Sequence, residues 1–124
     1  MDARAIPAAF LVVMGGALVC FVQAFRVRFD RRRHVRWAAS GAAIDLAGTV
    51  AVLVVTRVAH VHVPVRDAEA ASIHRVLAYV ATALLAIQIA TGVARARVHP
   101  WLGPLFLGVF TATYVVAAAA YGPW

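Results

Sequence analysis

Five histidines, His34, His60, His62, His74 and His99, are the residues of this chain best suited to chemistry. Imidazole ligates haem iron, copper and zinc, and no cysteine or carboxylate cluster in the sequence competes for that role. Four of the five flank long apolar runs: His34 precedes one and His60 closes it, while His74 and His99 open the next two. His34 and His60 cannot share one site, because they are separated by about 39 Å of continuous helix against a hydrocarbon core of about 30 Å. The spacing instead predicts two levels, His34 with His99 and His60 with His74. Each level draws on two helices, as a pair of axial ligands requires. His62 falls in a loop before Pro64, where the triplet HVH offers a copper chelate. The competing reading is of interfacial histidines that touch only headgroups and water.

Two further polar residues stand inside apolar runs, Asp45 and Gln88. An acid near the middle of a membrane costs a few kcal/mol, so it turns toward protein or water and often serves proton transfer. Its other role is that of a protonated or hydrogen-bonded structural acid. At about 100° per residue, Gly41, Asp45, Val52 and Ala59 lie within about 20° of His34, with Thr49, Thr56 and His60 to one side. Close packing explains glycines and threonines on such a stripe; it does not explain Asp45. On the next helix His74, Ala78, Ala81, Gln88 and Gly92 follow one line, and Gln88 is expected to make an interhelical hydrogen bond. On the last helix His99, Phe106, Phe110, Thr113, Ala117 and Tyr121 share a face. Pro100 and Pro104 are tolerated only near a first turn, which leaves His99 at the helix edge or just outside it.

The elements that position these residues follow from composition. Hydrophobic residues are 64% of the 124 residues and charged residues 14%, far below the roughly 25% charged content of soluble domains. Apolar segments at 6–25, 37–58, 76–93 and 102–120 each have about the length of a membrane span. The expected fold is all-α: an integral membrane four-helix antiparallel bundle forming one domain over 1–124. The first segment is longer than a signal-peptide core and is read as a retained span. The net charge of +7 comes entirely from arginine flanking the apolar runs. That is a topological pattern and excludes a nucleic-acid footprint. Arg26, Arg28, Arg31, Arg32, Arg33 and Arg36 in the first loop, with Arg95 and Arg97 in the third, outweigh Arg57, Arg66 and Arg75 in the second, where Asp67 and Glu69 offset them. The positive-inside rule then gives an N-out, C-out orientation. Trp37, Trp101, Tyr121 and Trp124 fall near helix ends, as an interfacial aromatic belt requires. Cys20 is the single cysteine, so no intrachain disulfide forms. With Gly16 and Gln23 it is placed toward the interior.

The order RRRHVRWAASGAAIDLAGTVAVLVVTRVAH, IHRVLAYVATALLAIQIATGVARAR and VHPWLGPLFLGVFTATYVVAAA resembles the small four-helix membrane family of uncharacterised domains that includes the CtaM-type, YozB-like cytochrome oxidase assembly proteins. The resemblance spans about Arg26 to Ala120. It implies His34, His60, His74 and His99 as the family's four histidines and Asp45 as the acid of its second helix. The run PWLGP after His99 departs from the basic HR start more usual there. The resemblance also implies a part in the maturation of haem-copper oxidases.

These readings lead to a non-enzymatic protein of the bacterial inner membrane that binds haem b or copper through His34, His60, His74 and His99. It would assist assembly of a respiratory oxidase, or serve as a small accessory subunit of that complex, with Asp45 and Gln88 as intramembrane polar or proton-relay groups. Homo-oligomers are compatible with this reading. Two alternatives stand beside it: a small transmembrane bis-histidine cytochrome b that transfers electrons, and a purely structural membrane subunit without cofactor. No glycine-rich phosphate loop and no paired nucleophile and base are present.

Overall fold

The computed structural model describes residues 5–122; Trp124, expected in the aromatic belt, lies outside them. The chain is all-helical: α1 Ala5–Arg26, α2 Arg31–Leu53, α3 Ala68–Val93 and α4 His99–Tyr121, with a π-helical turn Val54–Val58 continuing α2. All four helices, counting that turn with α2, are long and apolar enough to cross a membrane.

Polar caps start α2 and α3 earlier than their apolar runs do. Asp30 accepts a hydrogen bond from Arg33 N at 3.2 Å and pairs with its guanidinium at 3.4 Å. Asp67 accepts from Ala70 N at 3.0 Å. Each satisfies an otherwise unpaired first-turn N–H, so the helices extend back over the charged residues. His34 and His74 are thereby helical, three and six residues past the first residues of α2 and α3.

The core lies between α1 and α4. Met14, Ala17, Phe21 and Ala24 recur at three- and four-residue intervals on α1, and Phe106, Phe110, Thr113 and Ala117 do so on α4. Phe21 meets Phe106 edge to face at 4.8 Å between centroids and Phe110 at 5.0 Å, the arrangement that ring quadrupoles favour. The buried residues of α2 are Gly41, Ala42 and Gly48. These small residues let its backbone come close to α1. A Cβ at Gly41 would lie 2.8 Å from Phe21 Cε1.

α2 packs on α1, α1 on α4, and α4 on α3; α2 and α3 make no comparable contact. The segment joining them reaches across to α4, where Arg66 N donates to Ala120 O at 2.9 Å. The outer helices are thus held through the central pair.

Two irregularities differ from the regular helices expected. Within the π turn Thr56 Oγ1 donates to Val52 O at 2.7 Å, and Ala59 N donates to Val54 O at 2.9 Å. His60 then takes a left-handed φ of 52° and is exposed, so the polar line from His34 does not continue regularly to it. After α3, Arg95 is also left-handed at φ 53°. Ala96 N donates to Thr91 O at 2.8 Å and Arg95 N to Gly92 O at 3.2 Å, the paired bonds of a Schellman turn. That turn folds the chain back so that His99 begins α4 beside the last turn of α3.

Candidate functional site

Three of the five histidines are held in the same way. His34 Nδ1 lies 2.9 Å from Ala24 O, and His74 Nδ1 lies 3.2 Å from Thr113 O. A carbonyl only accepts, so both rings carry their proton on Nδ1. His99 Nδ1 is 3.2 Å from Thr91 Oγ1. That hydroxyl already donates to Ile87 O at 2.7 Å, which leaves its oxygen to accept from His99. In the neutral form of each of the three imidazoles Nε2 is therefore the nitrogen without a proton. Fixing one ring nitrogen by a hydrogen bond so that the other is free is how proteins orient histidine ligands.

His34 and His99 come together. Their ring centroids are 6.0 Å apart with planes at 79°, bringing the first turn of α2 to the first turn of α4. Gly92 makes room for this pair: a Cβ there would sit 3.0 Å from His99 Cε1 and 3.5 Å from its Nε2. Close by, Gln88 does not make the interhelical hydrogen bond its sequence position predicts. Its Oε1 is buried and accepts no hydrogen bond among the described residues. Its amide nitrogen lies against Gly103 of α4.

The other histidines are arranged differently. His74 packs its ring edge to face on Tyr121 at 5.7 Å. It also lines a cavity of about 180 Å³ bounded by all four helices, whose wall on α2 carries Asp45 and Thr49. Asp45 is half-buried on this wall. His60 and His62 are exposed and are not part of that wall. Of the remaining interior expectations, Cys20 is buried, Gln23 half-buried and Gly16 exposed.

The donor set can be tested against the groups implied. Among the described residues no three of His, Cys, Asp and Glu gather as a metal-ion group, which does not fit a four-ligand structural zinc site. Two imidazoles are what a haem iron or a two-coordinate copper(I) takes from a protein. His34 and His99, edge to face with centroids 6.0 Å apart, are the two imidazoles that would hold such a group.

Sequence reasoning missed Thr91 and Gly92 as the residues that hold His99, and it did not join Asp45 to His74. The only local hint was the adjacent threonine and glycine at the end of α3. Comparison with protein-family models, with curated proteins and with solved structures finds no match to this chain.

Proposed function

We propose that the chain is an integral membrane protein that holds haem b or copper between His34 and His99 and acts in the assembly of a respiratory oxidase of the haem-copper type, or as its small accessory subunit. The single observation that carries this is the pair of Nδ1-anchored imidazoles at 6.0 Å. Metal-ligating histidines almost always donate their other ring N–H in this way, and here two histidines so anchored lie side by side. The bound group would supply redox or group-carrier chemistry. The chain supplies two imidazole nitrogen donors, a glycine that admits the ring of His99, and a buried amide oxygen at Gln88 still able to accept a hydrogen bond.

The arginine-rich first and third loops favour the cytoplasmic side for the His34 and His99 end of the four-helix bundle, in a bacterial inner membrane with both termini outside. The pair then faces the compartment from which a haem or copper delivered from the cytoplasm arrives. His60 and His74 enter only in the alternative reading of a transmembrane cytochrome, which needs a second ligand pair at the opposite end.

The test is the oxidised and reduced visible spectrum of the protein purified in mild detergent, with iron, copper and zinc contents. The reading expects one haem, or one copper, per chain, lost in His34→Ala and in His99→Ala and kept in His60→Ala. A colourless, metal-free, helical protein sinks it and leaves the structural-subunit reading. A second haem lost in His60→Ala would establish the cytochrome instead.

A further inference from the structure

The cavity between α2 and α3 is separate from the His34 and His99 pair, and the polar groups on its wall have a consistent chemistry. His74 gives its Nδ1 proton to Thr113 O and keeps Nε2 as an acceptor. Thr82 and Thr113 spend their hydroxyl protons on Ala78 O and Val109 O, each at 2.8 Å, so their oxygens only accept. Asp45 adds a carboxyl group one helical turn from Thr49 on the facing wall. The hydroxyls of Thr49 and Tyr114 are further side-chain donors, as the Asp45 carboxyl group is when protonated, and that of Tyr114 lies against Gly15 of α1. The rest of the wall is apolar, including Phe10, Met14 and Phe110. His74, Thr82 and Thr113 thus offer acceptors to the cavity, in an apolar surround.

Size and access narrow the occupant. The cavity volume is about 180 Å³, and an apolar cavity of about 150 Å³ takes up one benzene ring. α2 and α3 both line the cavity and are not packed on one another, which leaves the gap between them as a route in from the lipid. A ligand entering this way is dissolved in the bilayer, carries a chain that stays there, and presents hydrogen-bond donors on a single ring.

We propose that this cavity binds the ring of a membrane-dissolved quinol, its hydroxyls donating to His74 Nε2 and to the Asp45 carboxyl group, its tail leaving between α2 and α3. The site prefers the quinol to the quinone, because a quinone carbonyl accepts and would oppose the acceptors on the wall. A site built to accept from a hydroxyl discriminates strongly against an analogue lacking it. His74 is on this reading a quinol-binding residue and leaves the set of metal ligands.

The experiment uses the full chain in lipid nanodiscs under anaerobic conditions and follows its thermal unfolding midpoint. The probes are a decyl-tailed benzoquinol, the matching quinone and the quinol's dimethyl ether. The quinol is expected to raise the midpoint saturably, while quinone and ether need at least tenfold higher concentration for the same shift. His74→Phe should weaken the quinol effect tenfold or more. Ala78→Phe, which fills the cavity, and Thr49→Leu, on the opposite wall, should each abolish it. Ala78→Phe should keep whatever iron or copper the wild type holds at His34 and His99, which separates this site from that one. Equal shifts from all three probes overturn the proposal, as does a quinol shift that survives in both Ala78→Phe and Thr49→Leu.

Discussion

The imidazole of His99 lies against the bare α-carbon of Gly92, so close that a methyl group there would meet three of its ring atoms at 3.0–3.5 Å. The histidine that begins α4 is therefore placed by the end of α3 as much as by its own helix. Thr91 fixes its tautomer, and Gly92 fixes how near it can come.

Gly92→Ala should displace the ring of His99 while leaving α3 intact, since alanine is the better helix former. Loss of a positioning contact behind a metal ligand costs about 10–100-fold in affinity. Titration of the purified variant with haem and with copper(I) measures it. An affinity equal to that of the wild type would show that the ring position does not matter to binding.

Gly41→Ala should destabilise the protein by about 1–3 kcal/mol, the usual cost of overpacking. The new methyl would come within 2.8–2.9 Å of the Phe21 ring, and Phe21 is wedged against Phe106 and Phe110. Gly16→Ala is the control, because nothing lies within 4 Å of its Cβ position. Reversible unfolding in mixed micelles should separate the two variants clearly.

Arg95→Gly should stabilise the turn between α3 and α4 by about 0.5–1 kcal/mol. The arginine occupies the left-handed position of the Schellman turn, where a side chain meets steric resistance and glycine does not. The same unfolding assay reads this out, and a loss of stability would mean that the arginine side chain has a role beyond the turn.

Orientation can be read with thiols, because the lone native Cys20 is buried. In a Cys20→Ala background, Val65→Cys should react with an impermeant maleimide added to intact cells, and Arg32→Cys should react only after the membrane is opened. The reverse pattern would invert the placement of the His34 and His99 pair.

The helices were legible because apolar runs of this length have few other destinations, and Asp30 and Asp67 explain why α2 and α3 begin before those runs do. The closeness of His34 to His99 was also legible, from their positions at the starts of alternate spans, which run in the same direction. The π turn was not, because VVTRV continues the apolar run without a glycine or proline to mark it. Nor was the cavity: it exists because α2 and α3 stand apart, a tertiary outcome that the face of neither helix encodes alone. Asp45 was recognised as demanding a partner surface, but only the packing order of the helices puts that surface next to His74.

That packing order has a consequence for biogenesis. The central contact joins α1 to α4, and α4 leaves the ribosome after the other three helices. Phe21 gains Phe106 and Phe110 as neighbours only once α4 has been translated. Until then α1 and α2 can dwell in the bilayer as a hairpin, held by Gly41 and Gly48, while α3 waits for its partner. Nascent chains arrested before Phe106 should therefore be targets for membrane quality control, and those that include α4 should escape it.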